Sequence, residues 1–322
     1  QQLEHLQQVI SVYRIPPEVD LQQLEQQLRR HFPDWQQERN QRFRPLQQRL
    51  PEAAEEPLRR WGQRAVGQSQ PAPPGCGEGR VLAMLDGPLN SGLAVFSGAL
   101  LDYQSQVPSA FSARSSGAAD HATAVAALLV GRGQVAGLVP GARLHALGVF
   151  GEDREAGLHS RSDWLLVALD QLAGLEPAPT VVNLSFGGSG SPLLQRFLGQ
   201  LSARMTFVAA AGNDGREGVR YPAADPAVLA VGAVDVRLQR VRLSNSGKQL
   251  DLVAPGEDIW TLDASGQGFF ASGTSFAAPF VAAAVLLSPP AAGQLERLAE
   301  DLGPAGRDDL YGWGLLRLAS CH

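Results

Sequence analysis

The stretch Gly273-Thr274-Ser275-Phe276-Ala277-Ala278-Pro279 constrains this chain more than any other. A glycine, two hydroxyl residues and small alanines open an apolar run at residues 280–287, the pattern of a tight turn feeding a buried helix. A serine at such a helix start lies among backbone N–H groups with no partner in the helix. The helix dipole favours negative charge at the same end. Acyl transfer needs that environment for its oxyanion. Ala277 and Ala278 let other segments approach closely, and Pro279 is tolerated only because it falls near the helix start. Taken alone, the string also fits an ordinary core helix with a hydroxyl cap.

Upstream, several short apolar runs read as buried parallel strands. Residues 80–85 end at Asp86-Gly87, which puts a carboxylate at a strand's carboxyl end, where open α/β sheets carry functional groups. Residues 120–130 read as a helix with His121 at its start. Residues 135–150 contain a turn and a second strand, and residues 162–172 an amphipathic helix. Residues 180–188 and 205–213 are further strands, the second ending in small residues before Asn213. Each polar residue has a structural alternative: a strand-end Asp in a turn, a core His, an Asn opening a turn at Asp214-Gly215.

The serine string resembles the nucleophile motif of the subtilisin-like serine proteases (subtilases), and Asp86, His121 and Ser275 follow that family's chain order. The resemblance runs nearly continuously over residues 80–285 and returns at Tyr311-Gly312-Trp313-Gly314. It implies an α/β, subtilisin-like three-layer domain with a mostly parallel central sheet. It implies a serine endopeptidase in which Ser275 attacks, His121 carries the proton, Asp86 orients His121, and Asn213 donates to the oxyanion. By the same resemblance Ser185, Phe186, Gly187, Ala211 and Gly212 bind substrate, and Gly157 with Leu158 supplies an edge strand for a bound peptide. Two departures stand out: Asp86 precedes Gly87-Pro88 rather than Thr or Ser and Gly, and Ala122 replaces the glycine after the histidine. They are the sequence hints for a catalytically impaired binding protein. An esterase using the same triad is the other alternative, but no Gly-x-Ser-x-Gly elbow occurs in the chain. A structural calcium is common in the family; no acidic loop stands out here, so no metal or other cofactor is assigned.

Residues 1–48 differ in composition, being rich in Gln, Arg and Glu. Residues 9–15 alternate like a strand that Pro16-Pro17 ends, Asp20 can cap a helix with Leu21, Leu24 and Leu28 on one stripe, and residues 35–46 are strand-like again. This order resembles the second half of a subtilase propeptide, a small α+β segment that assists folding and inhibits by laying its tail in the active site. A helical adaptor or dimerisation arm is the alternative. Residues 49–79 read as the connection, helical at 52–65 and an exposed Pro/Gly-rich linker at 67–79, with processing expected somewhere along it, and residues 80–322 as the peptidase domain.

The formal net charge of −5 leaves no basic footprint for nucleic acid. No run reaches the ~18–20 apolar residues of a membrane-spanning helix. The chain begins at Gln1 without a charged-then-apolar leader and is read as trimmed. The two cysteines, Cys76 and Cys321, match no metal-ligand spacing; they are either a disulfide clamping the ends of the catalytic region or two unrelated thiols. A secreted or periplasmic protein acting on proteins or peptides, with its own N-terminal segment as intramolecular inhibitor, is the expectation that follows.

Overall fold

The apolar runs are buried on both faces, as parallel strands covered by helices must be. Along Val81–Asp86, Leu82 and Met84 enter one apolar cluster while Ala83 and Leu85 enter another, the alternation a pleated strand imposes. This computed structural model describes every residue except 1, 7, 14, 17–18, 39, 46–47, 51–55, 112–115, 154–156, 291–293 and 322.

One sheet runs through the molecule in the order Leu100–Ser105, Arg143–Gly148, Val81–Asp86, Val181–Leu184, Thr206–Ala210, Val228–Val234, Leu252–Pro255, all parallel. Leu315–Leu316 extends it in parallel, and antiparallel Ala299–Glu300 closes the edge. Two helices cover one face, Ser116–Val130 and Thr274–Leu287. Two others, Ser162–Ala173 and Pro192–Leu201, cover the opposite face. The result is three layers. The Thr274–Leu287 helix is apolar all round and buried from Thr274 through Leu286, so it is a core helix with no solvent face.

The helix carrying His121 begins at Ser116, so His121 lies in its second turn rather than at its start. Residues 116–120 carry no apolar periodicity that could have announced the extra turn. The strand expected at residues 180–188 breaks at Ser185, giving Val181–Leu184 in the main sheet and Phe186–Gly188 in a second sheet.

In the N-terminal segment the strand expected at residues 9–15 is only Gln8–Val9, paired with Gln2–Leu3; Arg14 and Pro17 lie outside the described residues. The helix is Leu21–His31, and Asp20 caps it by accepting from Gln22 N at 2.9 Å and Gln23 N at 3.2 Å. None of its residues is buried, so its leucine stripe has no core behind it. Residues 35–46 contribute one strand, Arg42–Pro45; Leu46 lies outside the described residues. Of the helix expected at residues 52–65, Glu56–Arg59 and Trp61–Ala65 are helical, and residues 51–55 lie outside the described residues.

Residues 61–66, expected within a connecting segment, pack into the main core. Trp61 and Val66 are buried, and the Trp61 indole donates to Asp258 O at 2.9 Å. Gly62 lies so close to the Thr274–Leu287 helix that a Cβ there would meet the Phe280 ring at 2.9 Å. Residues 67–75 are largely exposed, and Cys76 forms a disulfide with Cys321, their Cα atoms 5.4 Å apart. No helix among the described residues is long and apolar enough to cross a membrane.

Candidate active site

Asp86 closes its strand at the carboxyl end of the sheet and is almost fully buried. Its Oδ1 lies 2.7 Å from His121 Nδ1 and also accepts from Gly87 N at 2.7 Å. A buried carboxylate in contact with Nδ1 makes that nitrogen the protonated one, which leaves Nε2 as the acceptor. Among the described residues Nε2 has no hydrogen-bond partner. The His121 ring packs against the Phe276 ring with centroids 5.5 Å apart, so the residue beside Ser275 touches the imidazole.

Ser275 is the second residue of its helix, which opens on Gly273 at φ 144°, a backbone conformation that side chains with a Cβ rarely adopt. Pro279 lacks an N–H, so the carbonyl four residues before it, that of Ser275, loses its helical donor. Ser185 supplies the replacement: its Oγ donates to Ser275 O at 2.8 Å, and Asn183 Nδ2 donates to Ser185 Oγ at 2.9 Å. The exchange is reciprocal, because Ser275 Oγ donates to Ser185 O at 2.9 Å. Helix start and sheet end are thus locked together at the nucleophile candidate.

Asn213 follows the Thr206–Ala210 strand. Its Oδ1 accepts from both Thr274 N and Thr274 Oγ1, each at 3.0 Å, and Thr274 Oγ1 accepts from Gly212 N at 3.2 Å. A backbone N–H can only donate, so this contact fixes which end of the amide is oxygen. Asn213 Nδ2 is then the outward end, buried and without an acceptor among the described residues. A pre-aimed neutral donor beside a helix N-terminus suits a developing negative oxygen. Gly212 (φ 114°) admits no side chain: a Cβ there would sit 2.6 Å from Asn245 Nδ2. Next to Asn213, the Arg220 guanidinium hydrogen-bonds Asp214 and holds its carboxyl at about 2.

Of the remaining candidates, Phe186, Gly187, Gly157 and Leu158 belong to a second, antiparallel sheet that starts next to Ser185. Phe186–Gly188 is one edge, and Phe150–Asp153 with Gly157–Arg161 is a hairpin at the other. Between them lies Arg42–Pro45 from the N-terminal segment: Pro45, Arg44 and Phe43 stand opposite Phe186, Gly187 and Gly188, while Arg42 and Phe43 stand opposite Arg161 and Ser160. Gly157 and Leu158 pair with Asp153 and Glu152 across the hairpin, so Ser160 and Arg161 are the residues that face the threaded strand. Phe186 is buried edge-on against Phe150, with ring centroids 5.6 Å apart. Ala211 is buried, and its carbonyl accepts from Arg220 N. Gln48–Leu50 pairs with Gly268–Ser272, the strand that leads into the helix of Ser275.

Sequence reasoning missed three contributors. Thr274 was in the string, but its grip on Asn213 is visible only in space. Ser160 and Arg161 carry no sequence signal, because their part is played by the backbone. The same holds for Gln48–Leu50, which was read as part of the connection. Among the described residues no three His, Cys, Asp or Glu side chains gather as metal ligands.

The model of the subtilase family matches residues 77–314. Subtilisin amylosacchariticus from Bacillus subtilis subsp. amylosacchariticus is 34% identical over 196 residues, covering 57% of this chain and 50% of that protein. The chain thus spans about half the length of the curated relatives it matches. The solved structure of the prenylagaramide maturation protease PagA superposes with a TM-score of 0.62 at 26% identity, over 80% of this chain and 95% of that one. The self-cleaved protease domain of PatA superposes with a TM-score of 0.54 at 31% identity, over 66% of this chain and 80% of that one. The chain, with its subtilisin-like fold, belongs to the subtilase family.

Proposed function

We propose that this chain is a serine endopeptidase whose own N-terminal segment occupies its cleft. The observation that carries the reading is the buried Asp86–His121 contact at 2.7 Å, joined through Phe276 to a serine at a helix N-terminus beside an unused Asn213 amide. Ser275 Oγ exchanges its Ser185 acceptor for His121 Nε2 and attacks the scissile carbonyl. The Oγ–C bond forms, the hydroxyl proton passes to Nε2, and the carbonyl electron pair moves onto oxygen. Asn213 Nδ2 and the Ser275 N–H receive that oxygen. His121 then gives the proton to the leaving amine as the C–N bond breaks. Water repeats the sequence on the acyl-enzyme, and Asp86 holds the imidazolium throughout.

Main-chain pairing between two antiparallel strands suits peptide substrates, since every peptide offers the same N–H and C=O pattern. Residues 42–45 take that position in this chain. Their docking extends to both outer helices. Glu38 accepts from Ser191 Oγ at 2.7 Å and Leu193 N at 2.9 Å, at the start of the Pro192–Leu201 helix. Asn40 Oδ1 accepts from Ser162 Oγ at 2.7 Å and Asp163 N at 3.3 Å, at the start of the Ser162–Ala173 helix. An anionic or polar side chain at a helix start satisfies donors the helix cannot. The PatA domain is described as self-cleaved. Here the strand register supports self-cleavage at one of the bonds joining Pro45 to Gln48, just upstream of the connection at residues 49–79.

The test is incubation of the purified protein with denatured casein, with and without a serine-reactive phosphonate, followed by mass spectrometry of the protein itself. Ser275→Ala should abolish casein cleavage and leave one intact chain. Turnover at wild-type level in that variant would refute the nucleophile. A self-cleavage site beyond Gly67 would refute the register.

A further inference from the structure

A cavity of about 470 Å³ shares no residue with the site described above. One wall is the segment after the cleft, with Arg59, Arg60 and Gln63; the other is the turn that follows the His121 helix, with Arg132 and Gln134, and the Trp260 ring. Among the described residues no carboxylate lines it. Three guanidinium groups therefore face one space, without a counter-charge among the described residues of its walls.

Their hydrogen bonds are incomplete. Arg59 stacks over Trp260, 4.1 Å from the ring centroid. Arg60 reaches the carbonyls of Gln68 and Ser69 only at 3.5 Å, through one Nη. Arg132 donates to Pro140 O at 2.8 Å. The Nε of all three is buried with no acceptor among the described residues. A buried donor without an acceptor is destabilising, more so when charged. Planar guanidinium forks match the oxygens of carboxylate and phosphate groups. The volume lies in the range of small-molecule sites. The Trp260 indole donates to Gln134 O at 3.3 Å within one wall, and Gln63 donates across to Ala136 O on the other at 3.2 Å, so the two walls are already fixed relative to each other.

We infer that this cavity is a binding site for a small oxyanion carrying two or more negative charges, gripped between residues 59–60 and Arg132. Its occupant adds a charged link to a segment that Trp61, Val66 and Gln63 already anchor. The site is independent of the peptidase reading.

The test uses the full Ser275→Ala chain, which removes self-digestion as a variable. Calorimetric titrations with citrate and, separately, with inorganic pyrophosphate are run at constant ionic strength set with chloride. One saturable site is expected, weakened at least about tenfold by Arg60→Gln and by Arg132→Gln, and less by Lys at either position. A preference for citrate assigns a carboxylate ligand, and the reverse a phosphate. Circular dichroism identifies the variants that fold; if Arg132→Gln does not, Arg59→Gln takes its place. Tryptic cleavage after Arg60 should also slow when the anion is present. Absence of saturable heat from either anion, or unchanged affinity in two folded arginine variants, would overturn the site.

Discussion

Ser275 and Ser185 trade hydroxyl for carbonyl in both directions, and the trade exists because Pro279 cannot donate. A residue whose usual effect is to break helices thereby frees an acceptor at the point where the sheet must be held. Thr274 does comparable work on Asn213 with its N–H and its hydroxyl. It is a positioning residue. Asn213→Ala should lower kcat by about 10²–10³ with little change in KM, the usual cost of one oxyanion donor. Thr274→Val keeps the N–H and loses the hydroxyl, so a fall of about tenfold, in kcat alone, is expected. An equal loss from Thr274→Val in KM would mean that the hydroxyl serves binding. The pair Asp214–Arg220 makes a separate prediction. Arg220 holds the Asp214 carboxyl at about 2, below its ordinary value of 3.8. The stabilisation is therefore complete above about pH 4 and lost as pH falls towards 2. Both side chains are partly exposed, so its size after screening is about 1 kcal/mol. Arg220→Ala should melt below wild type at pH 7, and the gap should close near pH 2.

At the scale of elements, strands and helices with strong apolar runs were legible, and pairings made by backbone alone were not. Residues 205–213 announced a strand through small apolar side chains, whereas Arg42–Pro45 is a strand only because two others flank it. Residues 9–15 failed the opposite way: alternation was present, but the described strand ends at Val9, and Val12 and Tyr13 stay exposed. Alternation needs a covering layer before it becomes a strand. The serine, histidine and aspartate candidates were legible because their chemistry demands particular side chains. The strands beside them were legible through the family resemblance, but their register was not, because any side chain serves: Ser160 and Arg161, not Gly157 and Leu158, face Arg42–Pro45. The docking of the N-terminal segment can be measured directly. A peptide of residues 1–48 should inhibit the processed enzyme in trans, and Glu38→Ala should weaken it about fivefold, the equivalent of one helix cap. Absence of inhibition at high peptide concentration would remove the segment's inhibitory role.

The whole molecule is three layers with two of its distant stretches tied together. Cys76 and Cys321 are 245 residues apart in sequence, so their bond closes most of the chain into one loop. Sequence alone left bonded and free thiols as equal alternatives, because pairing depends on where the last residues run. They run alongside the first: Leu318 N donates to Val66 O at 2.8 Å, and Arg317 to Ala65 O at 2.8 Å. Replacing Cys321 with Ser should lower unfolding free energy by about 2–5 kcal/mol, read as a shift of the denaturant midpoint. An unchanged midpoint would mean that the backbone contacts hold the ends without the bond.

Trp61 and Val66 are seated in the core, and this makes the two products of a cut between Pro45 and Gln48 unequal. The front piece is then held without a covalent bond, by its strand and helix-start contacts and by Leu3, which is buried in the core beside the Ser162–Ala173 helix, so it leaves only when these contacts open. The rear piece stays moored at Trp61, with Gln48–Leu50 paired to Gly268–Ser272, the strand before the helix of Ser275. Dilution cannot remove a stub tethered so closely, since its local concentration is set by the tether and reaches about the millimolar range. On the proposed reading of self-cleavage, a peptide that enters afterwards displaces this resident from the leaving-group side, so full release takes a second event beyond the first cut.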